Sequence, residues 1–139
     1  MLLVGSFERN LDDKARVALP AAFRDRLGLH CYLAMGEDKC VTVMPADVFE
    51  AEAADIAARV RTGEISRNQA RALAASATLV TPDKQGRIVL EEALRSYAGL
   101  TPGEQVVIAG NFDRLEIWSS DRFARVNDEG TGSLAGEGE

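Results

Sequence analysis

Apolar residues change their spacing several times along this chain, and each change marks a predicted element. Short aliphatic and β-branched runs at Arg16–Leu19 and Arg87–Leu90 predict strands. After the first run the spacing turns helical. Phe23 and Leu27 lie four apart and define a buried face, with Pro20 at the first turn and Gly28 just past the end. Two apolar–turn–apolar runs predict hairpins, Cys31–Met35 with Cys40–Met44 and Gln105–Ala109 with Leu115–Trp118, and Gly36 and Gly110 mark the turns. Asp47 and Asp121 are then expected to cap a helix each. The Ala- and Arg-rich stretch Ala46–Ala75 reads as two helices. Phe49, Ile56 and Val60 form a stripe on the first, and Gly63 stops it. Ser66 with Gln69 makes a capping box for the second, with Ile65 placed to staple onto Ala70. From residue 127 onward apolar content is too low to build a core, so a disordered tail is expected.

The pattern repeats. Asp12–Leu29 aligns with Asp83–Leu100 at a constant offset of 71, pairing Asp12 with Asp83, Arg16 with Arg87, Arg24 with Arg95 and Gly28 with Gly99. Alignment resumes at an offset of 74, pairing Gly36 with Gly110 and Asp47 with Asp121. The chain therefore divides into a first repeat (1–50), a helical insert (51–75), a second repeat (76–126) and an acidic tail (127–139). One unit of about fifty residues buries little surface alone, so the two copies should share a core.

Composition narrows the class. At 139 residues and 46% hydrophobic, the chain fits one domain's length, and no apolar run approaches a membrane span. The N-terminus has neither the basic region nor the long apolar run of a secretory signal, so the cytosol, with thiols reduced, is the expected compartment. Cys31 and Cys40 read as small buried hydrophobes. With one His they cannot furnish a metal site, and no metal or cofactor is expected. No nucleophile elbow, phosphate-binding loop or zinc-protease helix motif occurs, and His30 stands alone, so neither an enzyme nor a small-molecule substrate is expected.

The formal net charge of −6 excludes an evenly basic protein, but the charge is segregated. Residues 1–29 and 59–100 are net positive (+1 and +3), while 30–58 and 101–139 each carry −5. A local basic patch over the repeat motifs suits phosphate binding. Arg16 and Arg87 open a strand just after a turn, where an arginine can fork onto guanine O6/N7 or a phosphate. On spacing alone a turn-stabilising ion pair with Asp12 or Asp83 is the stronger reading. Lys14, at the first turn's tip, is a phosphate contact or solvated charge, and its counterpart is Gln85. Arg24 and Arg95 reach phosphates or form a solvated or subunit-contact face. Asp12 and Asp83 read as turn-formers that orient the arginines, and Gly86 suits the positive φ of such a turn. Arg59, Arg61, Arg67 and Arg71 have the look of a solvated helix face. Trp118 reads as packing.

NLDDKARVALPAAFRDRL near the start, PDKQGRIVLEEALRSYAGL about seventy residues on and FDRLEIW near the end resemble the MraZ family of bacterial transcriptional regulators, relatives of the AbrB-type swapped-hairpin proteins. The resemblance runs from Leu3 to about Val126. It implies an α+β fold: a pseudo-two-fold, β-barrel-like domain of two tandem swapped-hairpin repeats with peripheral helices. It implies a ring-shaped homo-oligomer, cytoplasmic and nucleoid-associated, that binds double-stranded DNA at short direct repeats in the promoter of the cell-division and cell-wall gene cluster, usually as a repressor. It makes Lys14, Arg16, Arg24, Arg87 and Arg95 the DNA-binding set, and it turns the reading of Arg16 from ion pair to DNA contact. Two positions depart from the family pattern. Ala15 stands where glycine is usual, so the first turn is expected to be reshaped, and Glu91 replaces the Pro20 of the first copy. The two copies are thus expected to bind unequally. From a different class, an oligomeric protein-interaction scaffold with no specific DNA target also accommodates the acidic total, Ala15 and Glu91.

Overall fold

Both sequence copies fold in the same order: strand, strand, helix, strand, strand, helix. The computed structural model describes residues 2–137. The first copy supplies β1 (Ser6–Asn10), β2 (Arg16–Ala18), α1 (Ala21–Leu27), β3 (Cys31–Met35), β4 (Val41–Pro45) and α2 (Ala46–Arg61). After α3 (Arg67–Ser76), the second supplies β5 (Thr78–Val80), β6 (Arg87–Val89), α4 (Glu92–Ala98), β7 (Gln105–Gly110), β8 (Leu115–Ser119) and α5 (Ser120–Leu134).

The strands of the two copies interlock. β1 pairs with β7, setting Phe7 opposite Ile108, and β5 pairs with β3, setting Leu79 opposite Tyr32. β4 and β8 join the two hairpins, giving one antiparallel six-stranded sheet in the order β1-β7-β8-β4-β3-β5. β2 and β6 form a separate two-stranded ribbon in which Val17 faces Ile88, its own repeat partner. The expected barrel-like closure does not occur. β1 and β5 are the sheet's two edges and do not pair with each other, so the sheet stays open.

One hydrophobic core draws on both copies. Val17, Leu19, Phe23, Leu27, Leu33 and Val43 pack in it with Ile88, Leu90, Leu94, Ala98, Ile108 and Ile117. Phe23 meets Phe7 edge-on at 5.2 Å, tying α1 to β1. α4 lies on β3, and the hydroxyl of Tyr97 donates to the Gly36 carbonyl, so a second-copy helix seals a first-copy hairpin. A smaller cluster of Cys40, Val107 and Trp118 is packed by Phe123 and Val126 of α5. Cys31 and Cys40 are buried with free thiols, and desolvation pushes them up to about 11 and about 12, so both stay protonated as apolar filler.

Several local expectations change. Asp47 and Asp121 lie inside the first turn of α2 and α5 and are not the caps. Pro45 precedes α2 without a side-chain cap, while Ser119 caps α5 by accepting from the Arg122 N–H. A first-turn carboxylate still complements the helix dipole, which accounts for an acid at both positions. The Ser66 hydroxyl caps α3 by accepting from the Gln69 N–H at 3.0 Å, the first of the two bonds a capping box makes. Residues 127–134, expected to lack structure, continue α5 to Leu134. Once a helix is nucleated by its cap and packed first turns, each added residue gains a hydrogen bond that offsets the entropy of fixing that one residue, whereas the first turn fixes several residues for one bond. Residues 138 and 139 of that tail lie outside the described residues. Among the described residues no helix is long and apolar enough to cross a membrane.

Gly36 and Gly110 are required by space and not by backbone conformation, since neither has a positive φ. At Gly36 a Cβ would sit 2.7 Å from both Cys40 Sγ and Thr42 Cγ2. At Gly110 it would overlap the backbone of Leu3 and Val4, whose segment is held by reciprocal hydrogen bonds between Leu3 and Phe112. Backbone cannot swing aside as a side chain can. Gly110→Ala should therefore destabilise the fold by about 1–3 kcal/mol, the usual cost of overpacking. Urea unfolding would show it as a lowered midpoint, with loss of amide protection at Leu3.

Candidate nucleic-acid interface

Two Asp-x-x-x-Arg turns lead into the ribbon strands, and their geometry is nearly identical. In the first, Asp12 Oδ1 accepts from the backbone N–H groups of Lys14 (2.9 Å) and Arg16 (2.8 Å), while Oδ2 accepts from Arg16 Nε (2.8 Å). In the second, Asp83 Oδ1 accepts from Gln85 (2.8 Å) and Arg87 (2.9 Å), and Oδ2 from Arg87 Nε (2.9 Å). A single carboxylate thus closes the turn and aims the arginine. These bonds hold both aspartates below the usual carboxylate range. The Arg16 or Arg87 backbone N–H is the largest cause, with the arginine side chain and a second turn amide adding to it against a desolvation cost.

Ala15 does not reshape its turn. It adopts φ 61°, close to the 75° of Gly86. Its N–H donates to the Asp12 carbonyl as that of Gly86 donates to Asp83. The left-handed conformation costs a Cβ-bearing residue about 1 kcal/mol, and the Asp12 hydrogen bonds hold it there. Each turn is also tied to the other copy. Leu19 N–H donates to the Gly86 carbonyl at 2.8 Å, and Leu90 N–H to the Ala15 carbonyl at 2.9 Å. Glu91 and Pro20 are equally interchangeable in backbone terms, both preceding their helices in an extended conformation.

The ribbon register decides where the arginines go. Val17 and Ile88 are buried, so strand alternation turns Arg16, Ala18, Arg87 and Val89 outward together. Arg16 stands opposite Val89 and Arg87 opposite Ala18, which makes the two arginines diagonal neighbours on one face. Such positions are roughly 7–8 Å apart. Each guanidinium is engaged by its aspartate through Nε, and both side chains remain about 30% exposed. The ion pair that the spacing alone favours is formed in both turns, and it leaves each guanidinium on the outer face of the ribbon.

The other candidates take different positions. Lys14 is exposed at the first turn. Lys84, which the comparison of Lys14 with Gln85 passes over, is exposed at the second and puts a basic group there too. Its signal was its place one residue before Gln85 in the aligned turn. Arg24 and Arg95 are half-buried behind the turns. Arg95 NH1 donates to the Leu90 carbonyl, and Arg24 lies against Gly86. Neither is a freely solvated side chain. Val89, 51% exposed between the arginines' strands, is an apolar contact point that the motif gave no reason to single out. Arg59, Arg61, Arg67 and Arg71 are exposed on α2 and α3, with Arg59 paired to Glu64 at 3.1 Å.

Two interlocked halves that present two carboxylate-braced arginines on one outward β-ribbon make this a small α+β protein with an antiparallel sheet. The family model for the MraZ protein, described as antitoxin-like, matches residues 2–70 and 73–134. A protein named transcriptional regulator MraZ from Corynebacterium efficiens is 41% identical over 134 residues, covering 96% of this chain and 92% of its own. Proteins of that name from a Nocardioides species and from Saccharopolyspora erythraea are 42% and 39% identical, covering 88% and 92% of this chain and 84% and 88% of their own. The chain belongs to the MraZ family.

Two outcomes are expected at the turns. The folded aspartates titrate below their unfolded value, so their contribution is complete above that value and is lost as pH falls through the folded one. The amides of Lys14, Arg16, Gln85 and Arg87 should keep their NMR shifts from neutral pH to about 4 and move only below it. Ala15→Gly should raise stability by up to about 1 kcal/mol in urea unfolding and leave the Asp12 hydrogen bonds unchanged.

Proposed function

We propose that this protein is a sequence-specific DNA-binding transcriptional regulator, acting as a repressor, and that the β2–β6 ribbon is its reading face. The diagonal pair Arg16 and Arg87, aimed outward by Asp12 and Asp83, carries the reading. A two-stranded ribbon fits the major groove, and an arginine fork is the common means of reading guanine there. Lys14 supplies a backbone phosphate contact, and Arg24 and Arg95 add positive charge behind the turns. The negative formal charge is no obstacle, because the acid lies mainly in the hairpin and tail segments and leaves the motif segments net positive.

The same reading extends to assembly and target. A ring of identical subunits repeats the ribbon at fixed intervals, and weak single contacts then combine through effective concentration. Its target is a set of short direct repeats about one helical turn apart in the promoter of the cell-division and cell-wall gene cluster. The reading implies a cytoplasmic, nucleoid-associated protein.

Gel retardation of the duplex directly upstream of the protein's own coding sequence tests this. Arg16→Ala should weaken retardation by about 10- to 100-fold, the value of a lost bidentate base contact, with little change in melting temperature. Wild-type affinity should also fall steeply with salt. Retardation that survives Arg16→Ala unchanged would overturn the assignment, and a wild-type protein that never retards the duplex would favour a scaffold role.

A further inference from the structure

We propose that Arg24 is a positioning residue that acts across the repeat boundary, holding the second turn so that Arg87 is presented correctly. This rests on the ribbon being the DNA-reading face. Arg24 belongs to α1 of the first copy, while Gly86 belongs to the turn of the second, 62 positions away in sequence. In the fold the Arg24 side chain lies directly on Gly86. A Cβ there would overlap its Cδ and NH1 and stand 2.8 Å from its Nε. Gly86 is buried accordingly.

The matching position in the first turn shows what this contact replaces. Ala15 carries a methyl group there, only 7% exposed, in the same left-handed conformation. A side chain at this position is thus compatible with the turn's backbone. The counterpart of Arg24, Arg95, has its NH1 on the Leu90 carbonyl. The first turn is filled from within by its own methyl, and the second from outside by an arginine of the other copy. Gly86 sits between Asp83 and Arg87, the pair whose hydrogen bonds aim the guanidinium. Its carbonyl also accepts from Leu19, which lies two residues before the helix that carries Arg24. Removing Arg24 uncovers the centre of this turn and leaves the first turn untouched. The two turns of the reading face thus differ at this position, and the turn before Arg87 is covered by an arginine of the opposite copy's helix.

Amide exchange and binding together test the inference. In Arg24→Ala, the Gln85 and Arg87 amides should exchange about tenfold faster or more, while Lys14 and Arg16 stay at wild-type rates. Gly86→Ala keeps the arginine but displaces it, and should produce the same local change. It also covers the case in which Arg24→Ala folds poorly. Equal rates in all four turn amides in both variants would overturn the proposal. In gel retardation of the upstream duplex, Arg24→Ala should weaken binding in the wild-type background and add little in Arg87→Ala. Its salt slope should stay near wild type, since no phosphate contact of its own is lost. Additive losses with a slope reduced by about one would instead make Arg24 a direct phosphate contact. If the wild type does not retard the duplex, the functional reading falls, and the exchange rates alone decide whether Arg24 holds the turn.

Discussion

Val17 facing Ile88 is the pairing on which the rest of this molecule depends. The two residues are copies of each other, so the ribbon they form lies on the pseudo-symmetry axis and belongs to neither half. Outside the two hairpins, the strand pairings follow the same logic: β1 finds its partner in β7, β5 in β3 and β4 in β8, and each turn carbonyl accepts from the opposite half. A half alone would leave two strands without a partner and an incomplete core. Unpaired backbone groups and uncovered apolar surface are both costly, so the halves fold as one unit. The outward ribbon inherits that constraint, since its two arginines project from strands that pair only with each other, one from each copy.

What the sequence made legible was local. The offset of 71, the hairpins, the Ser66 cap and the short helices depend on neighbours within a few residues, and they stand close to their predicted positions. What it hid was non-local. Three-residue strands such as β2 and β6 are too short to show which strand they pair with, and the open edge between β1 and β5 follows from pairing and not from composition. Asp47 and Asp121 misled because an acid one residue inside a helix and an acid at its cap look alike in sequence. Segment 127–134 misled in the opposite sense, because apolar content measures whether a segment can build a core, and α5 needs only its first turns to be packed.

At the candidate site the same division holds. Asp12 with Arg16 was readable as a pair, and so was Asp83 with Arg87, because four residues separate each. The ion pair that the spacing favoured is formed at both turns, and each guanidinium stays partly exposed. An arginine braced through Nε loses conformational freedom before any ligand arrives, and pre-organisation of that kind lowers the entropic cost of recognition. The contact of Arg24 was hidden for the same reason as the β2–β6 pairing. Its partner, Gly86, lies in the other copy, and nothing near position 24 reports it.

Duplication leaves two copies of each device, and the copies then diverge within what the backbone allows. Pro20 and Glu91 occupy one conformation, as do Ala15 and Gly86, so the turns stay superimposable in their hydrogen bonding while their surroundings differ. A methyl at position 15 fills its own turn at the cost of a left-handed φ. A glycine at position 86 avoids that cost but leaves a gap, and Arg24 lies in it. In both turns the arginine that follows is held by its aspartate through Nε. The Asp and Arg of the motif are the same in both copies, and the residue between them differs, because the carboxylate sets the turn and the intervening position only has to be filled.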